Sequence, residues 1–205
     1  MRWNTLVARM SDVETARRNL ATPPPHRGDH DLNPGMALQD PLIPAAVLIP
    51  LIDRRDGVTV MLTKRAQHLP DHPGQISFPG GRIDATDAGP SAAALREAQE
   101  EVGLSPQRVE VAGELDVYVT RTGFHITPVV GLVRPPIDVR PDSAEVADVF
   151  ELPLALAIDP ANYERRARRH EGQRRYFYVL MYEDRIVWGA TAGMLVNLAH
   201  VLQEK

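Results

Sequence analysis

The sequence contains no cysteine, which excludes disulfide bonds, thiolate metal sites and cysteine nucleophiles. Long apolar runs are also missing, because the longest nearly unbroken one, Ile43 to Ile52, contains two prolines and is too short to cross a bilayer. The amino-terminal segment acquires acidic residues early and lacks a long apolar core, so it does not resemble a signal peptide. We therefore expect a cytoplasmic protein that uses neither thiol chemistry nor a membrane.

An excess of basic charge is absent as well. The 23 Lys and Arg residues are outnumbered by 27 Asp and Glu residues, which gives a net charge of −4 and a pI near 6.0. This balance argues against nucleic-acid binding through bulk electrostatics. Hydrophobic residues make up 43% of the 205 positions, which is enough to build the core of one domain. We expect a small-molecule partner and no nucleic-acid partner.

The first forty residues differ in composition from the rest of the chain. The stretch from Asp12 to Leu20 is compatible with a short helix. Residues Ala21 to Gly35 are rich in proline, histidine and aspartate, and this composition is typical of an extended linker. We predict an amino-terminal extension over residues 1–40 and one folded domain over residues 41–205.

From Ala45 onward, apolar runs alternate with turn signals, a pattern that is typical of β-structure. Apolar residues at helical spacing predict a helix over Ser91 to Val102, with Ser91 as the N-cap and Gly103 as its end, and a second helix over Thr191 to Gln203. Strands, a central helix, further strands and a closing helix predict an α+β fold. The predicted strands are Ala45–Ile52, Val58–Lys64, Gln75–Phe78, Val109–Thr120, Ile126–Val133, Ala147–Leu152, Arg175–Tyr182 and Arg185–Trp188.

Three carboxylates share one face of the central helix. At about 100° per residue, Glu97 lies about 40° from Glu101 and about 60° from Glu100. Like charges at this spacing destabilise a helix by about 0.2–0.5 kcal/mol per pair, and two of the three also lie at the negative end of the helix dipole. A hard cation such as Mg²⁺ or Mn²⁺ reverses these costs, because it favours clustered oxygen ligands. Arg96, one turn before Glu100, can hold that carboxylate in a fixed orientation.

A glycine pair precedes this helix. Phe78-Pro79-Gly80-Gly81 ends a predicted strand, and fifteen residues lie between Gly81 and Glu97. Paired glycines allow the backbone to approach a ligand closely and to turn a carbonyl toward a metal. Taken singly, the two features also fit a tight turn and a solvated helix face. The combination of strand, glycine pair and acidic helix favours a platform for a metal–diphosphate complex.

These residues resemble the Nudix box, G-x5-E-x7-R-E-U-x-E-E-x-G-U, in which U is a bulky apolar residue. Gly81 opens the box, and Arg96-Glu97-Ala98-Gln99-Glu100-Glu101-Val102-Gly103-Leu104 forms its second half. Asp87 takes the place of the first glutamate, and eight residues instead of seven separate it from Arg96. Ala98 is also small for its apolar position.

A second motif, just before the box, indicates a particular subfamily. The segment from Leu62 to Gly81, LTKRAQHLPDHPGQISFPGG, is similar to the extra signature of coenzyme A pyrophosphatases, L-L-T-x-R-x-x-x-L-x-x-H-x-G-x-x-x-F-P-G-G. The Asp84 and Asp87 pair and the Trp188 to Ala192 segment also recur there. The resemblance implies a Nudix fold, a mixed sheet between helices. It also implies hydrolysis of coenzyme A to 4′-phosphopantetheine and adenosine 3′,5′-bisphosphate with Mg²⁺ or Mn²⁺.

The resemblance implies roles for particular residues. Glu97 and Glu101 are expected to bind the metal directly, and Glu100 to be a third ligand or to hold metal-bound waters. Gly81 is expected to add a backbone carbonyl, and Arg96 to orient the glutamates. The general base comes either from the box or from a distant loop, where Glu145 is the candidate.

Candidate substrate-binding residues lie beside the box. The basic ones either contact phosphate or shape the loop, and the sequence leaves both alternatives open. The candidates are Lys64, Arg65, His68, His72, Gln75, Ser77, Gly80 and Gly81. A separate run, Arg165 to Arg175, contains six arginines and His170, and it fits a solvated hairpin, a subunit contact or a phosphate contact.

Two rival functions remain at this level. A Nudix enzyme of other specificity would act on ADP-ribose, NADH or nucleoside triphosphates with the same chemistry and different recognition loops. A non-catalytic Nudix-like nucleotide sensor would typically have lost the box glutamates, which are present here. Many Nudix enzymes pair through their sheets or termini, so a homodimer is compatible with the sequence.

Overall fold

The computed structural model describes residues 27–38, 40–170 and 172–203. The predicted helix over Asp12 to Leu20 and the first part of the predicted linker lie outside these residues. No helix in the described ranges is long and apolar enough to cross a membrane.

Two sheets make up the β-structure of the described residues. The main sheet has nine strands, which are β1 (Arg27–Gly28), β2 (Ile43–Arg54), β3 (Gly57–Arg65), β4 (Ile76–Ser77), β5 (Gly80–Arg82), β6 (Val109–Glu114), β7 (Tyr118–Val119), β8 (Phe124–Val133) and β9 (Val146–Pro153). The second sheet has three, β10 (Tyr163–His170), β11 (Gln173–Tyr182) and β12 (Arg185–Trp188). The helices are α1 (Asp29–Leu32), α2 (Pro90–Val102), α3 (Leu154–Ala157) and α4 (Ala190–Gln203), with 3₁₀ turns at Pro106–Arg108 and Pro160–Asn162.

The main sheet is mixed. Its strand order is β1-β7-β8-β2-β3-β4, with β5 beside β2, β6 beside β8 and β9 beside β3. The long central strands β2 and β8 run parallel, from Ile43 opposite Phe124 to Ile52 opposite Val133. Parallel pairing of buried central strands is typical of sheets that are covered on both faces.

Helices cover both faces of this sheet, which confirms the predicted α+β architecture. On one face, Ala46, Leu48 and Met61 pack against the alanines of α2. Ala94 and Ala98 are fully buried there, so the small side chain at position 98 allows the helix to lie close to the strands. On the other face, the alternate residues of β2 and β3 pack with α4 and β11.

Several predicted elements differ from the structure in detail. The predicted strand Val109–Thr120 is divided into β6 and β7. Gly80–Gly81 is part of a short strand, β5, and does not form a tight turn. Ser91 is not the N-cap of α2, because Gly89 occupies that position and the Ser91 hydroxyl donates to Glu114 at 2.9 Å. Gly103 ends the helix in the left-handed conformation, as predicted.

The described part of the predicted linker is folded onto the domain. Arg27–Gly28 pairs with Tyr118–Val119 in the main sheet. Asn33 is buried, accepts a hydrogen bond from the backbone N–H of Tyr176 at 2.8 Å, and donates to its carbonyl at 3.0 Å. The extended linker predicted for Ala21 to Gly35 is therefore wrong over residues 27–33, because a polar side chain satisfied by a distant strand ties this segment down. The boundary between residues 40 and 41 stays a prediction.

Candidate active site

The glycine pair lies directly against the acidic helix. The backbone N–H of Gly80 donates to a carboxylate oxygen of Glu101 at 3.2 Å. A Cβ atom at Gly81 would lie 2.5 Å from Oε1 of Glu97, so a side chain at this position would displace the Glu97 carboxylate. The predicted association of Gly80 and Gly81 with the glutamates is thus present in the fold, and it depends on β5 pairing with β2 beneath α2.

Two of the three glutamates face this strand. Glu101 is 6% exposed, and its burial raises its pKa to about 7, although the Gly80 N–H opposes the shift. Burial also raises the pKa of Glu97, against the effect of Arg96. Both carboxylates are therefore costly to keep ionised without a cation nearby.

Glu100 is placed differently. Its side chain is 60% exposed and accepts a hydrogen bond from Arg96 at 3.1 Å. In the described part of the chain, no three His, Asp or Glu side chains are arranged as a ready metal cluster. Arg96 donates to Glu97 and Glu100, and the Gly80 N–H donates to Glu101.

Arg96 is the centre of the polar network around the site. Its guanidinium donates to both oxygens of Asp87, at 3.0 and 2.9 Å, and to the Arg82 carbonyl at 3.2 Å. Hydrogen bonds from Arg96 and from the Asp84 backbone lower the pKa of Asp87, and the Asp87 contact in turn raises the pKa of Arg96. In the sequence, Asp87 only replaces the first glutamate of the box. Nothing there indicated that its carboxylate accepts two hydrogen bonds from Arg96.

The loop that carries Glu145 is tied to the end of α2. The backbone N–H groups of Arg140 and Asp142 donate to the carbonyls of Val102 and Glu101, both at 2.9 Å. These bonds satisfy carbonyls that a helix end leaves free. The negative charge of Glu145 raises the pKa of both Glu97 and Glu101, so the structure brings this distant residue into the field of the two glutamates.

The fold places the substrate-binding candidates of the β3–β4 segment in different surroundings. The positive charge of Arg65 lowers the pKa of Glu101, which places Arg65 near the glutamates. Lys64 is the neighbouring half-buried residue at the end of β3. The hydroxyl of Ser77 lies 3.1 Å from that of Thr63, so it is engaged across β3 and β4.

The loop between these strands holds the remaining candidates. His68 and His72 are both exposed, and His72 has a positive φ of 55°. Gln75 is half-buried, and its carbonyl accepts from the Arg65 N–H at 2.9 Å. The roles of the two histidines in substrate binding stay predictions.

The donor set fits a hard divalent cation. Glu97 and Glu101 supply carboxylate oxygens in a desolvated place, and the glycine strand beside them carries backbone carbonyls and no side chain. Oxygen ligands of this kind suit Mg²⁺ or Mn²⁺. Fold and site together define an α+β protein with a helix-borne carboxylate site for such an ion.

Comparisons with known proteins agree with this description. The NUDIX domain family matches residues 42–177. An uncharacterized Nudix hydrolase, NudL, of Enterobacter sp. (strain 638) is 46% identical over 155 residues, which are 76% of this chain and 80% of that protein. NudL of Salmonella newport (strain SL254) is 48% identical over the same shares of both chains. The chain therefore belongs to the Nudix hydrolase family, whose members generally use divalent metals such as Mg²⁺ or Mn²⁺.

Similarity to solved structures is weaker. The crystal structure of a C. elegans Ap4A hydrolase binary complex gives a TM-score of 0.48 at 19% identity, over 56% of this chain and 83% of that one. A Nudix hydrolase from M. smegmatis, RenU, gives a TM-score of 0.45 at 24% identity, over 55% of this chain and 71% of that one.

Proposed function

We propose that this Nudix hydrolase cleaves the diphosphate bond of coenzyme A, giving 4′-phosphopantetheine and adenosine 3′,5′-bisphosphate. The observation that carries the proposal is the continuous segment from Leu62 to Gly81. It is similar to the coenzyme A pyrophosphatase signature, and two of its residues, Arg65 and Gly81, lie near the carboxylates of α2.

The positions of the glutamates support the proposed metal ligation. Glu97 and Glu101 would hold the ion, with the Gly81 carbonyl beside them and Glu100 nearest to solvent. When bound, the ion supplies charge neutralisation for the diphosphate and a lowered pKa for a coordinated water. Arg96, held by Asp87, keeps Glu97 and Glu100 oriented toward the site.

A water nucleophile needs a base close by. Glu145 is the candidate that the fold supports, because its charge acts on both buried glutamates and its exposed side chain is accessible to water. Glu100 is instead engaged by the Arg96 guanidinium, which donates to its carboxylate at 3.1 Å. Arg65 and Lys64 would contact the substrate phosphates from the β3 side.

Product analysis tests this proposal. Coenzyme A, ADP-ribose and ATP would each be incubated with the protein and Mg²⁺ or Mn²⁺, with Glu101→Gln as the folded control. We expect metal-dependent release of 4′-phosphopantetheine and adenosine 3′,5′-bisphosphate, faster than turnover of the other two compounds and lost in the control.

Two other outcomes would contradict the proposed substrate or the proposed activity. Faster cleavage of ADP-ribose or ATP would keep the metal site and overturn the coenzyme A assignment. An absence of turnover with every diphosphate, together with binding that persists in the Glu101→Gln variant, would support a nucleotide sensor.

A further inference from the structure

A basic cavity lies between the β10–β11 hairpin and the segment around α1. Its volume is about 140 Å³, roughly ten times the 10–15 Å³ that one water needs. None of its lining residues belongs to α2, so it is separate from the glutamate site. Its charged and aromatic lining includes Asp29, Arg121, Arg168, His170, Arg175, Phe177 and Trp188.

The hairpin that forms this wall places like charges side by side. Arg168 lies directly opposite Arg175, and Arg169 lies directly opposite Arg174. Like charges in directly opposed positions destabilise an antiparallel pair. Because side chains alternate along a strand, the first pair faces the cavity and the second pair faces the other side of the hairpin. Hairpin stability by itself would not favour this arrangement, whereas an anion in the cavity would.

One guanidinium in the cavity wall has an unsatisfied donor. The Nε atom of Arg175 is buried and has no hydrogen-bond partner among the described residues. A buried N–H of this kind is costly unless an acceptor is present. Nearby, the Arg121 guanidinium lies 3.2 Å from Nε2 of His170, and because arginine donates and cannot accept, the histidine nitrogen is the acceptor there.

The acidic residue of the lining does not cancel the positive charge. Asp29 accepts from the Tyr118 hydroxyl at 2.8 Å through one oxygen and from the Arg121 backbone N–H at 2.9 Å through the other. Among the described lining residues, three guanidiniums and one carboxylate give a formal charge of +2, without counting the histidine. That charge, and the forked donors of arginine, suit a phosphate monoester dianion.

Two contacts link elements beside the cavity to elements beside the glutamate site. The Thr191 hydroxyl, just after the Trp188 wall, donates to the Ile76 carbonyl of β4 at 3.0 Å. The Arg121 turn leads into Phe124, and the guanidinium of Arg82 lies 5.9 Å from the centre of that ring. On β2, Ala46 pairs with Gly81 and Ile43 lies opposite Phe124, and three residues of strand span about 10 Å. Strands β2 and β8 therefore connect the glycine strand to the Arg121 turn, which contributes to the cavity lining.

We propose that this cavity binds a phosphate monoester of the substrate, the 3′-phosphate in the case of coenzyme A. The inference rests on the proposed function for the identity of the nucleotide, and on the charged lining for the phosphate itself. Arg168, Arg175 and Arg121 donate to the phosphate oxygens, and the Arg175 Nε donor gains its acceptor. The cavity then distinguishes coenzyme A from the same molecule without its 3′-phosphate.

The test compares two substrates and two charge-matched variants. Coenzyme A and 3′-dephospho-coenzyme A would be hydrolysed by the full-length wild type, by Arg168→Gln/Arg175→Gln, and by Arg169→Gln/Arg174→Gln. The second variant is the control, because it removes the same charge from the opposite face of the same hairpin. We expect the kcat/KM ratio of coenzyme A to the dephospho form to fall roughly 10- to 100-fold in the cavity variant, and to stay near the wild-type ratio in the control.

Binding measurements separate this inference from the proposed function. By calorimetry without turnover, adenosine 3′,5′-bisphosphate should bind the wild type at least tenfold tighter than adenosine 5′-monophosphate, and the cavity variant should lose this difference. The wild type could bind the two nucleotides with different affinities and yet cleave no coenzyme A. That result would support the inference about the cavity and contradict the proposed substrate.

Three results would overturn the inference. The first is equal binding of the two nucleotides by the wild type, even if coenzyme A is hydrolysed. The second is competition by inorganic phosphate as strong as that by the bisphosphate, which would show that the cavity takes a free ion. The third is an unchanged kcat/KM ratio with an altered oligomeric state in the cavity variant, which would make the arginines a subunit contact.

Discussion

Replacing Glu101 with glutamine should stabilise the metal-free protein while abolishing its hydrolase activity. Burial raises the pKa of Glu101 to about 7, whereas a glutamate carboxyl in an unfolded chain titrates near its ordinary value of 4.5. Above pH 7 the folded protein must therefore hold a buried carboxylate that the unfolded chain ionises freely. The glutamine side chain has nearly the same shape as the protonated acid, and its oxygen can still accept from the Gly80 N–H.

The sign and size of the effect follow from linkage. A carboxyl whose folded pKa is raised destabilises the folded state as pH increases from the unfolded value of 4.5 to about 7, and the full cost is present above the folded pKa. A difference of about 2.5 between the two pKa values corresponds to about 3 kcal/mol at pH 8, and to less than 1 kcal/mol at pH 5. For a chain of this length, about 3 kcal/mol raises Tm by roughly 6–12 °C.

Thermal unfolding in the presence of EDTA, at pH 8 and at pH 5, measures this difference. We expect Glu101→Gln to melt well above the wild type at pH 8, with a much smaller gain at pH 5. Glu100→Gln is the matched control, because it removes the same charge from an exposed position one residue away and should change Tm little. Mg²⁺ should raise the Tm of the wild type more than that of the Glu101→Gln variant, because an ion bound to the folded state stabilises it by mass action. A lower Tm for Glu101→Gln at pH 8, or a gain that is equal at both pH values, would refute the argument.

Three further changes test other parts of the structure. Gly81→Ala places a Cβ 2.5 Å from the Glu97 carboxylate, so kcat should fall by about 100-fold while far-UV circular dichroism stays unchanged; full activity would contradict the close approach. Asp87→Asn removes the charge that binds Arg96, so kcat should fall about tenfold and the Mg²⁺ requirement should rise, whereas Asp56→Asn, at an exposed turn position, serves as the control. For Glu151, burial is outweighed by hydrogen bonds from its neighbours, which lower its pKa. Its contribution of about 0.5–1 kcal/mol, after allowing for solvent screening, is present above the unfolded pKa and is lost as pH falls through the lower folded value. Urea unfolding of Glu151→Gln should accordingly show a deficit at pH 7 that shrinks as the pH falls below the unfolded pKa and disappears below the folded one.

Local rules were sufficient for the helix and for much of the sheet. The helical repeat places Glu97 and Glu101 on one face, and a glycine able to adopt a positive φ ends the helix at Gly103. Continuous apolar runs, separated by turn residues, predicted the bounds of the central strands to within about two residues. A strand that is buried on both faces of the sheet needs such a run. These features depend on neighbours in the chain, so the sequence alone determined them.

Contacts between distant segments decided the rest. Glu101 is buried while Glu100 remains exposed, because β5 packs under one side of α2, a fact of sheet pairing that the helical repeat does not contain. The folded segment before β2 depends on Asn33, whose partner Tyr176 is 143 residues away. The basic cavity forms where that segment meets the arginine hairpin. Each of these arrangements balances the desolvation of polar groups against partners brought from elsewhere in the chain, and that balance is set by tertiary structure.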